Sequence, residues 1–137
     1  MGRIVMLVWV LVALVVVMMG YVRFAPSVPD RWHKLPDFSE NRTSRGAAFR
    51  VVDSGPDGLA RLEGVANGWP RTQRLAGAAE QGKITWVVRS AVIGFPDYIT
   101  AEQSGETLRI FSRLRFGRRD FGVNAKRMDA WLKAAGF

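Results

Sequence analysis

The sequence predicts an α+β protein, a single N-terminal transmembrane helix followed by a small antiparallel sheet packed with two helices. Three observations carry this expectation. An apolar run without a charge, IVMLVWVLVALVVVMMGYV, extends from Ile4 to Val22 between Arg3 and Arg23. Downstream, several short stretches alternate apolar and polar residues and are separated by turns rich in glycine and proline, the period-two pattern of half-buried strands. Two further stretches, 59–67 and 124–135, place apolar residues at helical spacing instead. Strands in succession, with helices before and after them, form an antiparallel sheet covered on one face.

The apolar run is 19 residues long. A helix of about 20 residues crosses a hydrocarbon core of roughly 30 Å, and a lone segment can do so only as a helix, because lipid offers backbone groups no partners. No small-x-small cleavage site precedes Arg23, so residues 1–23 are expected to stay as an anchor that meets the bilayer through Ile4 to Val22. Basic residues flank both ends of the run, which leaves the positive-inside rule nearly neutral. A short tail before a single apolar run is the layout of an uncleaved signal anchor. The expected location is therefore the cytoplasmic membrane, single-pass, with the soluble domain on the periplasmic side.

Residues 24–45 contain Pro26, Pro29 and Pro36, a density that disfavours helix and central strand. They are expected to form an extended arm, with Trp32 and His33 packing on the domain or lying near the headgroups. Residues 46–137 are expected to form one small α+β domain. Its first strand is 47–53. After the turn at Pro56 and Gly58, Asp57 is placed to cap a helix whose Leu59, Leu62, Val65 and Ala66 share one face. Strands follow at 72–78, 83–90, 98–102 and 107–116, with a bend over 91–97 and a hairpin turn over 103–106. In the last strand Leu108, Ile110, Ser112 and Leu114 face one way, and Arg109, Phe111, Arg113 and Arg115 the other. A closing helix over 124–135 carries Met128, Trp131, Leu132 and Ala135 on one stripe, with Asn124 as its N-cap and Gly136 just past its end.

The composition narrows the chemistry. Twenty Lys and Arg oppose 12 Asp and Glu, a formal charge of +8. Only Lys34, Lys83, Lys126 and Lys133 are lysines, so the basic side chains are mostly forks that grip carboxylate and phosphate in a bidentate manner. Such a balance suits an anionic lipid headgroup, an acidic protein face or nucleic acid, and equally a solvated surface with internal ion pairs. The absence of cysteine excludes disulfides and thiol chemistry, and His33 is the only histidine, so no metal site and no cofactor are expected. Neither a phosphate loop nor a dinucleotide fingerprint is present.

Basic and aromatic residues interleave along Arg109, Phe111, Arg113, Arg115, Phe116, Arg118, Arg119 and Phe121. With Arg89 and Arg127, these arginines form the candidate binding surface. Rings and guanidinium groups in this order suit nucleic acid, but an exported domain meets none. A domain tethered to a bilayer meets anionic lipid or a membrane protein. The alternative is internal pairing with Asp97, Asp120 and Asp129, with Arg89 and Arg113 tying their strands to acidic loops. Asp97 and Asp120 are the candidate acid–base carboxylates, although nothing in their spacing brings them together.

The segments GFPDYIT and SRLRFGRRDFGVNAKRMDAWL resemble the closing signature of the family catalogued as domain of unknown function 1499 (DUF1499). The positions that carry the likeness are Ser112, Arg113, Gly117, Asp120, Gly122, Val123, Asn124 and Arg127. APSVPDRWH and PRTQRLAG are similar to a bacterial, membrane-anchored subset, so the likeness covers about 25–132. Many members carry an early Pro-Asn-Cys-Val-Ser-Ser segment, whereas this chain has no cysteine. The resemblance implies no activity. Gly117 and Gly122 are read as allowing the loop to approach the sheet closely, and Asp120 as pinning it by accepting from Arg113 or Arg127. The functional expectation is a single-pass, non-enzymatic binding or accessory protein, a small subunit or stabiliser of a larger membrane complex. The alternatives are a tethered enzyme acting on an anionic envelope substrate and an anionic-lipid-binding domain.

Overall fold

The computed structural model describes residues 1–137. Helix α1 spans Gly2–Phe24. It is long and apolar enough to cross a membrane, and none of its most apolar stretch is buried within the protein. The arm that follows is mostly extended but contains one helical turn, α2, Pro29–Trp32. Proline density was expected to exclude helix here. Pro29 stands at the first helical position, where its missing N–H costs nothing. Strand β1 is only Arg42–Thr43, near the end of the stretch expected to be an extended arm.

The domain then runs β2 (Ala47–Asp53), α3 (Gly58–Asn67), β3 (Thr72–Ala78), β4 (Lys83–Arg89), β5 (Pro96–Ser104), β6 (Thr107–Leu114) and α4 (Val123–Ala134). The six strands form one sheet in the order β1-β2-β6-β5-β4-β3, antiparallel throughout. β3 to β6 are therefore a meander, and β2 returns to pair with β6. One end of the sheet carries the turns at 79–82 and 105–106. The other carries the loop 90–95, the loop 115–122 and the junction with α1.

One face of the sheet packs on α3 and α4. Ile84, Trp86 and Val88 of β4, Ile99 and Ala101 of β5, and Leu108 and Ile110 of β6 meet Leu59, Leu62 and Ala66 of α3 and Met128, Trp131 and Leu132 of α4. Trp131 sits edge-on to Trp86 and Trp69, with centroids 5.6 and 5.9 Å away. The indole N–H groups of Trp86 and Trp131 have no hydrogen-bond acceptor.

The second face is not left to solvent. β4 is buried at five consecutive positions, Ile84 to Val88, and the arm folds back across Thr85 through His33. Single-face coverage was the sequence expectation, and the arm is the reason it fails. Two other details differ. β5 starts at Pro96, within the expected bend, and proline is tolerated there because it opens the strand. Asp57 makes no side-chain cap to α3. Instead Gln103 Oε1 accepts from the Leu59 amide at 2.9 Å, while Asp57 pairs with Arg61 at 3.3 Å.

Candidate functional site

The loop from Gly117 to Gly122 joins β6 to α4, and its conformation is fixed by Asp120. One carboxylate oxygen accepts from the Gly122 amide at 2.9 Å. The other accepts from the Asn124 amide at 3.0 Å and from the Asn124 side-chain amide at 2.8 Å. Asp120 thus caps α4, whose first amides would otherwise lack partners. Asn124, expected to be the N-cap, lies inside the first turn and is fully buried. Its carbonyl oxygen receives the Ser112 hydroxyl and, at 3.2 Å, Arg127. Arg127 also pairs with Asp97 at 2.9 Å. Asp120 bonds to neither Arg113 nor Arg127 directly.

The glycines serve a different purpose from the one expected. A Cβ at Gly117 or Gly122 would meet nothing within 4 Å, so neither position is needed for close approach. Both hold positive φ, 93° and 79°, which glycine adopts without strain. Phe121 between them also has φ of 53° and is 86% exposed.

Ser112, Asn124, Asp120, Arg127 and Asp97 therefore form one closed polar cluster at the start of α4. Burial pushes the Asp97 carboxyl above its usual range, aided by Asp120 and opposed by Arg127 and Asn124. The two candidate carboxylates do lie near one another, on either side of Asn124. Their oxygens already hold backbone amides, Asn124 and Arg127.

The interleaved face has a separate fate. Arg113 is 8% exposed and has no carboxylate partner. It donates to the Trp32 carbonyl and, at 2.8 Å, to the Thr100 hydroxyl. Its guanidinium lies 4.7 Å from the Phe111 ring centre, with the rings of Trp32 and Tyr98 within 6 Å. Burial lowers its pKa to about 10. Trp32 stacks on Tyr98 with centroids 3.9 Å apart. Arg115 donates to the Pro26 carbonyl at 2.9 Å and to Tyr98 Oη at 3.0 Å. Arg109 pairs with Glu102 at 2.6 Å and Asp37 at 3.3 Å. Rings and cations do alternate here, but what covers them is the chain's own arm. Arg89 and Arg113 bind backbone carbonyls rather than the acidic loops expected of them: Arg89 donates to Gly94 at 2.9 Å and to Val22 at 3.4 Å. Asp129 pairs with Arg50 of β2 at 2.8 Å.

Of the candidate arginines, Arg118 and Arg119 alone are exposed. They follow Phe116, which meets Tyr21 of α1 edge-on at 5.9 Å. Val92 and Phe95 of the 90–95 loop are exposed at the same end.

The arm residues that make these contacts were not legible as a group. His33 Nδ1 lies 2.8 Å from Thr85 Oγ1, which lies 2.8 Å from Thr100 Oγ1, and threonines on the expected outer face of a sheet carry no sequence signal for such a chain. Burial, with Lys83 and Arg113 nearby, lowers the His33 pKa. A lowered value means that the folded state holds neutral His33. The stability it contributes is present above 6.5 and is lost as the pH falls through the lower folded-state value. Asp97 has the opposite sign: with a raised value, its contribution is present in acid and is lost as the pH rises through the folded-state value. Relative to His33→Gln, the wild-type protein is therefore expected to lose melting temperature as the pH is taken below 6.5. An unchanged profile in the variant would remove His33 from the seam.

A protein-family model described as "Protein of unknown function (DUF1499)" matches residues 26–134. The chain belongs to the DUF1499 family. No curated protein matches it. The DUF1499 match begins at Pro26, so the arm lies inside the family unit and α1 outside it. The polar cluster at the start of α4 and Arg113, which holds the arm, both lie within the matched residues.

Proposed function

We propose that this DUF1499 protein is a single-pass membrane-anchored, non-enzymatic binding protein, an accessory component of a larger membrane complex whose domain is clamped at the bilayer surface. The observation that carries the reading is the seam between α1, the arm and the sheet. Arg89 reaches the Val22 carbonyl in the last turns of α1, Arg115 reaches Pro26, and Ser27 bonds Tyr98 Oη at 2.7 Å. Val22 and Ala25 are buried against the domain. With α1 across a membrane, the domain does not swing on a linker. Its loops at 90–95 and 115–122 face the headgroup plane, with Arg118, Arg119, Phe121 and Val92 outward. An aromatic side chain among arginines, held on a capped loop, is the kind of anchor on which interfaces concentrate their energy. We place the domain on the periplasmic side, following the signal-anchor layout.

The reading is tested by purifying the C-terminally tagged protein in mild detergent. A membrane protein is expected at fixed stoichiometry, and Arg118→Glu with Phe121→Ser should weaken its retention by about tenfold or more. A lone monomer, or a companion indifferent to those substitutions, overturns the accessory role.

A further inference from the structure

A cavity of about 510 Å³ opens between the edge of the sheet and the end of α1. Arg23, Arg71, Arg74 and Arg89 line it, together with Ser27, Ser90 and other residues, none of them acidic. Arg74 is engaged with Glu63 at 3.2 Å, and Arg89 with the Val22 and Gly94 carbonyls. Arg71 is held at the rim differently. Its backbone has φ of 53°, its carbonyl accepts from the Arg89 amide at 2.9 Å, and its Nε donates to the Arg89 carbonyl at 3.0 Å. Its two terminal nitrogens are left for something else. Arg23 is the first charged residue after the apolar run, and its side chain lies across Gly94, where a Cβ would stand 3.5 Å from Arg23 Cγ. The loop beneath is stiffened by the Ser90 hydroxyl, which accepts from the Gly94 and Phe95 amides at 3.1 and 2.9 Å.

We infer that this cavity binds the phosphate of an anionic phospholipid headgroup. Guanidinium forks match phosphate oxygens in geometry and charge, and an excess of cations with no carboxylate on the wall leaves the charge unbalanced. The position of the cavity selects the source of the phosphate. Arg23 ends the apolar stretch of α1, so the mouth lies at headgroup level wherever α1 spans a bilayer, and basic groups there draw anionic lipid. The inference shares with the reading above only the placement of α1, and needs no protein partner.

Full-length protein in a neutral detergent, mixed with phosphatidylglycerol or phosphatidylcholine and followed by native mass spectrometry, tests it. One phosphatidylglycerol is expected to be retained per chain in preference to phosphatidylcholine. Arg23→Gln with Arg71→Gln should weaken that retention by about tenfold or more, whereas Arg118→Gln with Arg119→Gln, the same charge change at the exposed loop, should leave it intact. Equal losses in the two variants, or no preference between the lipids, overturn the site. If inorganic phosphate displaces the lipid or binds when the lipid does not, the cavity is a free-anion site and the lipid assignment fails. Should the first variant melt, Gln73→Glu puts a carboxylate on the same wall from an exposed strand position and must produce the same loss.

Discussion

Asp120→Ala is expected to lower stability by about 3 kcal/mol, because it removes a half-buried acceptor that serves three donors and caps α4 at once. The Gly122 and Asn124 amides and the Asn124 side chain would all lose their partner, and Asn124 is fully buried. For a domain of this size, a loss of that order lowers the melting temperature by roughly 10–20 °C. Asp120→Asn keeps one acceptor oxygen and should recover part of the loss. Circular dichroism of the detergent-solubilised protein reads both. A melting temperature unchanged in Asp120→Ala, with lipid or partner binding abolished, would instead make Asp120 a binding residue.

Arg113→Ala carries the second large effect, again about 3 kcal/mol, from hydrogen bonds to a charged donor and the stacking of three rings around it. It removes the guanidinium that donates to both the Trp32 carbonyl and the Thr100 hydroxyl, leaving between these segments only the 3.2 Å bond from the Thr100 hydroxyl to the Trp32 carbonyl. The arm, held mainly from this side chain and by the Trp32–Tyr98 stack, should then open. Arg113→Lys should not rescue it, since an ammonium cannot serve carbonyl, hydroxyl and ring faces together as a planar fork does. Trypsin reports the opening directly, because Arg31 and Lys34 flank Trp32 and are exposed. Cleavage there should quicken in both variants, and equal rates in wild type and Arg113→Ala would show that the arm is held by something else.

The fold was largely legible because its signals are local. Alternation located β4 and β6 to within two residues at each end, helical spacing located α3 and α4, and an uncharged run of 19 residues located α1. What remained hidden depends on contacts distant in sequence. Arg113 and Trp32 are 81 positions apart, and nothing in either segment shows that a backbone carbonyl, not a carboxylate, meets the guanidinium. The same holds for Asp120. Its place before Gly-Val-Asn suggested a pin for the loop, but whether arginine or backbone amides receive it depends on the turn, which two positive-φ glycines and Phe121 decide together. The candidate surface divided for this reason. Arg109, Arg113 and Arg115 alternate with rings as read, yet the proline-rich arm that covers them reads only as a linker until its contacts are seen. Arg23, Arg71 and Arg74 gave no pattern at all, because the cavity they line is assembled from α1, β3 and β4.

The clamp of the domain against the bilayer can be measured with one probe at a time, since the chain contains no cysteine and any introduced thiol is unique. Phe121→Cys lies on the loop beside α1, and Glu106→Cys lies on the turn at the opposite end of the sheet. Each is labelled with an environment-sensitive fluorophore in nanodiscs that contain a headgroup-attached quencher. Strong quenching at position 121 and little at 106 is the expected result. Equal quenching at the two positions would mean that the domain tumbles on its arm, and would contradict the clamp.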